Sequence, residues 1–278
     1  MVDWRDAWRY SLGGEPPVDY PPHYIGSIFF LIITTMVGSS LRVINRAVTP
    51  AELRRPVADF ISTFQTCASS LENAHVLKHY GFPGLSVYIF IQCVIFIVTY
   101  GDSQASPTGN FQRWFEGGLS VNNALFRIAL QILAAYASYK YALAVWAVDL
   151  LPEHKVKLEA TECMTDLNVS LLTGFGLETG ATLLDTWMGM QILLNSQRLD
   201  TSVKAAIQTI MIVLGLQLTG MYFNPSMASA NTFGCKGTDV WEHVVVYWVG
   251  PFVGCLLASI ANRTYHLSRA EISEKKTQ

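Results

Sequence analysis

The sequence predicts an all-α integral membrane protein: six spanning helices and two re-entrant half-helices in inverted repeats, with an extra N-terminal hydrophobic helix. Three observations carry this. The chain of 278 residues is 51% apolar and only 14% charged, against about 25% charged in a typical soluble domain. Seven stretches approach the roughly 20 apolar residues that cross a bilayer. Two landmarks recur at nearly one offset: Asp59-Phe60-Ile61-Ser62-Thr63-Phe64 pairs with Glu178-Thr179-Gly180-Ala181-Thr182-Leu183, and Ser106-Pro107-Thr108 pairs with Asn224-Pro225-Ser226.

The seven stretches are residues 24–41, 57–76, 85–100, 124–148, 167–194, 203–223 and 244–261. The first has no charge. The second is polar, with Asp59, Gln65 and Glu72, and the fifth carries Glu178 and Asp185. Segments 105–115 and 224–234 are too short to span. Each begins with a small or polar residue followed by proline, which the first helical turn tolerates because that N–H is unpaired anyway. Helices that start inside a membrane are allowed only where the adjoining backbone is buried in protein or lines water, so these segments point to a pore. Each unit holds three long helices, an odd number, so the second copy runs upside down relative to the first, a recurrent plan for membrane transport. The organisation expected is a tail over 1–23, an extra helix over 24–44, repeats over 56–150 and 165–263, and a cytoplasmic tail over 264–278.

Basic residues orient the chain. With the link before Asp59 cytoplasmic, that side holds Arg42, Arg46, Arg54, Arg55, Arg198 and Lys204 together with the C-terminal bases; the other holds Lys78, Lys155, Lys157 and Lys236. Residues 24–41 either span, placing the N-terminus outside or in a lumen, or lie along the interface. No cleavable leader is evident in residues 1–23. The net charge of −2 and the lack of a basic stripe argue against nucleic acid as a partner. Among the five cysteines there is no zinc-ligand spacing, and Cys67, Cys93 and Cys255 read as packing residues. No metal, cofactor or catalytic constellation is expected, so the chain does not read as an enzyme.

From Pro56 to Arg263 the chain resembles the aquaporin family. Thr219-Gly220-Met221-Tyr222-Phe223-Asn224-Pro225-Ser226 is similar to the family's second re-entrant motif, and Trp248-Val249-Gly250-Pro251 to the start of its last helix. Ser106-Pro107-Thr108 departs from the family's Asn-Pro-Ala. That degenerate first motif, the extra N-terminal segment, and Cys235 in Thr232-Phe233-Gly234-Cys235 resemble the unorthodox superaquaporin branch.

The resemblance implies a passive channel for water and small neutral solutes, glycerol or hydrogen peroxide included, in a homotetramer with one pore per protomer in an intracellular membrane such as the endoplasmic reticulum. The pore motifs would be Ser106, Pro107, Thr108 and Asn224, Pro225, Ser226. Asn224 would donate to passing water, whereas Ser106 either donates one hydrogen bond or only caps its helix. Asp59 and Glu178 would accept hydrogen bonds from the re-entrant loops, Asp185 would extend that polar face, and Gln131 would pack helices. The constriction would comprise Ser86 or Val87, Ile212, Met221 and Met227, with methionine where water channels carry arginine; such apolar walls either admit larger solutes or dewet. Cys235 would pack without redox chemistry. Asn168-Val169-Ser170 fits a glycosylation acceptor, and Lys275-Lys276 a retrieval signal. The alternatives are a gated or non-conducting structural protein and an inverted-repeat secondary transporter.

Overall fold

The computed structural model describes residues 23–160 and 162–277. Its helices are α1 (His23–Val48), α2 (Ala51–Leu71), α3 (Asn73–Tyr100), α4 (Pro107–Phe115), α5 (Val121–Trp146), α6 (Pro152–Glu159), α7 (Leu171–Met190), α8 (Gln197–Thr219), α9 (Pro225–Thr232), α10 (Val240–Val244) and α11 (Gly250–Thr277). A π-helical turn, Val245–Val249, joins the last two.

Helices α1, α3, α5, α8 and the segment Val240–Tyr265 are long and apolar enough to cross a membrane. Helices α2 and α7 fall short on composition because their polar groups face inward. Asp59, Ser62, Thr63, Gln65 and Ser69 of α2 are all buried, as is Glu178 of α7. These are costly groups in a bilayer unless they meet partners inside the bundle. The same pairing recurs in each repeat: α2 packs on α5, and α7 on α11. In the second pair a glycine permits the approach, since a Cβ on Gly254 would lie 2.2 Å from the Thr179 carbonyl oxygen.

Helix α1 runs antiparallel along α2. Ser27 donates to Glu72 at 2.8 Å, Arg42 to Gln65 at 2.9 Å, and Asn45 to the Arg54 carbonyl at 2.9 Å. At 1.5 Å per residue its 26 residues reach about 39 Å, longer than a hydrocarbon core of about 30 Å. Gly38 lets the helices touch: a Cβ there would sit 2.2 Å from Gln65 Oε1.

The structure corrects several sequence expectations. The helix expected over 57–76 ends at Leu71, and Val76 belongs to α3. Helix α3 starts at Asn73 and breaks at Gly81 (φ 59°), whose left-handed backbone favours glycine. Beyond it the chain runs back along α2, with Gln92 donating to the Ser69 carbonyl and Thr66 bonded to Tyr100. The last helix starts at Val240 rather than 244, so Trp248-Val249-Gly250-Pro251 lies at a π-turn inside it. That helix continues through Thr277, where a tail was expected. Helix α6 was not anticipated. Residues 1–22 of the tail expected over 1–23 lie outside the described residues.

Candidate pore and its constriction

The two short helices begin at the centre of the bundle. Proline occupies the first turn of each, and the residue before it caps. Ser106 Oγ accepts from the Thr108 N–H at 3.4 Å. Asn224 Oδ1 accepts from the N–H groups of Ser226 (3.1 Å) and Met227 (3.4 Å). Asn224 Nδ2 donates across the junction to the Ala105 carbonyl at 2.9 Å. The N-terminus of each half-helix carries roughly half a positive charge, so both aim positive ends at one place.

A buried carboxylate holds each entering loop. Asp59 Oδ1 accepts the Gln104 N–H at 2.8 Å, while Oδ2 accepts Asn110 Nδ2 at 3.1 Å and pairs with Arg127 at 3.3 Å. Glu178 Oε1 accepts from the Thr219 hydroxyl (2.7 Å) and the Tyr222 N–H (3.1 Å), and Oε2 from the Phe223 N–H (2.6 Å). Gln104 and Tyr222 each stand two residues before a cap, so the two halves use one device. In the second loop Gly220, Met221 and Phe223 all have positive φ. Non-glycine residues adopt that geometry only when their surroundings over-determine it, and the Glu178 bonds supply the restraint. Gln131 braces the first loop, donating to the Gln104 carbonyl at 2.9 Å and accepting from Asn110 at 3.1 Å. Ser226 Oγ donates to the Gln131 carbonyl at 3.3 Å.

A cavity of about 1040 Å³ runs past this junction. Ser106, Thr108, Asn224, Ile212, Met221 and Met227 line it; Pro107, Pro225 and Ser226 are buried behind. The fourth wall of the constriction needs correction. Ser86 turns its hydroxyl to its own helix, donating to the Phe82 carbonyl at 2.8 Å, and Val87 is 61% exposed on the outer surface. Leu85 and Ile89 border the cavity there instead, but both are buried, packed in the apolar core with Leu31 and Val76. The helix phase after the Gly81 kink sets this.

Asp166 and Asp185 also line the cavity, and no lysine, arginine or histidine does among the described residues. Asp185 accepts from Gln208 at 2.6 Å. At one mouth Tyr222 donates to Asp166; burial raises the Asp166 carboxyl above its ordinary value, opposed by that hydrogen bond and by Lys157. Asn168 lines the same mouth and spends its amide nitrogen on the Gln217 carbonyl at 3.1 Å, an engagement a glycan there would disrupt. Cys235 is not a packing thiol: it forms a disulfide with Cys163, across 72 residues of chain. Adjacent backbone bonds, Lys236 N–H to Cys163 O and Thr165 N–H to Lys236 O, both 2.9 Å, zip the two loops together. Cys67, Cys93 and Cys255 are buried and free.

Two inverted helical repeats, half-helices meeting head to head and a cavity alongside define a membrane channel rather than an enzyme. The family model for major intrinsic proteins matches residues 23–262, and the chain belongs to that family. Aquaporin-11 of Milnesium tardigradum is 26% identical over 84% of this chain and 84% of its own length. Human aquaporin-11 is 29% identical over 80% of this chain and 86% of its own, and mouse aquaporin-12 is 26% identical over 87% and 86%. These likenesses support the superaquaporin branch. The aquaglyceroporin of Plasmodium falciparum shares the fold, with a TM-score of 0.54 at 16% identity, over 74% of this chain and 93% of that one.

Proposed function

We propose that the protein conducts water and small neutral solutes, glycerol and hydrogen peroxide among them, passively along this cavity. The observation that carries the reading is the junction at Asn224. Its Oδ1 is spent on its own helix and one N–H on Ala105, which leaves the second N–H of the amide for a passing oxygen on a cavity-lining residue. Ser106 shares its hydroxyl with Thr108 at 2.8 Å and caps its helix, so the first half contributes less to the path. Ile212, Met221 and Met227 make an apolar constriction without a fixed cation. A pore of that kind rejects neutral solutes by size rather than by charge.

Stopped-flow light scattering on proteoliposomes tests this. Faster shrinkage than empty liposomes under both water and glycerol gradients is expected, with a low activation energy. Purified, folded protein giving no excess flux under either gradient overturns it in favour of a closed or structural role, and flux that needs a coupling ion points to a transporter. A homotetramer, in an endoplasmic reticulum membrane with Lys275-Lys276 facing the cytosol, completes the proposal; crosslinking and microscopy of a tagged chain check each part.

A further inference from the structure

Four of the six histidines in the chain gather at one end of the bundle. They arrive from distant parts of the sequence: His23 opens α1, His75 and His79 lie on the turns of α3 before the Gly81 break, and His154 follows Glu153 in the first turn of α6. They form two adjoining groups. Glu72, His75 and His154 are buried, whereas His23, His79 and Glu153 are half-buried and reachable from solvent.

In the outer group His79 Nε2 lies 2.9 Å from Glu153 Oε1, and His23 Nδ1 lies 3.5 Å from Glu153 Oε2. The two imidazoles stack with centroids 3.6 Å apart and planes 12° apart; an ion bound by both must lie in the plane of each ring, so one ring has to turn out of the stack to ligate it. His23 Nδ1, His79 Nε2 and Glu153 Oε2 are buried atoms without a hydrogen-bond partner. Two ligands held about 2.1 Å from a tetrahedral zinc ion stand about 3.4 Å apart, and the separations here bracket that value. Two imidazoles and a carboxylate are a donor set suited to zinc and copper and ill suited to magnesium or calcium. Lys78 Nζ holds Glu153 Oε1 at 3.0 Å, but its side chain is 64% exposed and free to swing into water when a cation enters.

We propose that His23, His79 and Glu153 form a three-ligand site for a divalent transition metal of the zinc class, with a fourth position open to water. The ion ties the first turn of α1 to α3 and α6, adding to the bond of the Tyr24 N–H to Tyr80 Oη at 2.9 Å and the ion pair of Lys78 with Glu153. The inner group supports the outer one. His154 Nε2 sits 3.3 Å from Glu72 Oε1, and Trp146 donates to Glu72 Oε2 at 3.0 Å. These bonds hold α6, and with it Glu153, against the bundle.

The test uses the full-length protein, stripped of metal with a chelator in detergent and titrated with zinc chloride by calorimetry. One saturable zinc per protomer is expected, with magnesium giving no signal. His79→Ala and, separately, His23→Ala should each weaken zinc at least tenfold while His243→Ala, remote from the site, leaves it unchanged. Zinc should raise the melting temperature of the parent protein and not that of His23→Ala, which changes only a side chain at the start of α1. Absence of saturable zinc binding, or undiminished affinity in both variants, overturns the proposal; so does loss of binding in His75→Ala with His23→Ala unaffected, because the ion would then occupy the buried group.

Discussion

Asn224 carries two burdens that Ser106 does not share equally. It caps α9 through two backbone N–H groups and still reaches across to Ala105, whereas the Ser106 cap bond is long at 3.4 Å. Asn224→Ala should therefore cost about 0.5–2 kcal/mol as a lost cap and lower water flux several-fold in proteoliposomes. Ser106→Ala should leave flux nearly unchanged, since that hydroxyl is already shared with Thr108 and spent on its own helix. Met227→Arg places a cation on the constriction and should cut glycerol flux relative to water; an unchanged ratio would remove Met227 from the filter. Glu178→Gln swaps one carboxylate oxygen for an NH2 group that cannot accept an N–H, so a loop N–H at Tyr222 or Phe223 loses its partner. An unsatisfied buried donor costs about 1–3 kcal/mol, to be read as a lower melting temperature in detergent. These residues were legible because each sits in a local motif. The inward turn of Leu85 was not, because it depends on the helix phase set by the Gly81 break, which residue counting cannot supply.

At the scale of elements, the half-helices showed in the sequence through proline at the first helical turn, and the long helices through apolar length. Helix α6 did not, being only eight residues, Pro152–Glu159, in a polar stretch. Helix α1 declares its apolar length, but its partner does not follow from composition: Arg42 is buried against Gln65 and lies 4.9 Å over the Tyr100 ring. The α7–α11 contact rests on Gly254. Gly254→Val should force backbone apart at Thr179, costing about 1–3 kcal/mol or more as overpacking. Size-exclusion chromatography should then show less folded protein, while Gly176→Ala, where a Cβ meets nothing within 4 Å, serves as the control.

For the molecule as a whole, the inverted repeat was readable because two landmarks recur at one offset and each repeat then folds the same pairs of helices together. What binds the ends of the bundle was not readable. The histidine cluster draws on positions 23, 79 and 153, and the disulfide joins Cys163 to Cys235; neither has a local signature, and both exist only once the repeats have docked. The outer surface is apolar, with Val43, Val98, Leu172 and Leu214 each at least 66% exposed, as contact with lipid requires. Native mass spectrometry from nanodiscs checks the proposed tetramer.

The link between Cys163 and Cys235 also bears on how the protein is made. Disulfides form and persist in oxidising compartments, and this one lies beside Lys236, one of the bases expected on the side away from the cytoplasm. The second cysteine follows α9, so the bond cannot close until α7, α8 and the second half-helix have been synthesised and inserted. Its formation thus reports that the second repeat has folded back over the first part of its own loop. In pulse–chase labelling the crosslinked form should emerge only after the second half-helix and Cys235 have left the ribosome, and Cys163→Ser chains should be retained and degraded faster than the parent during biogenesis.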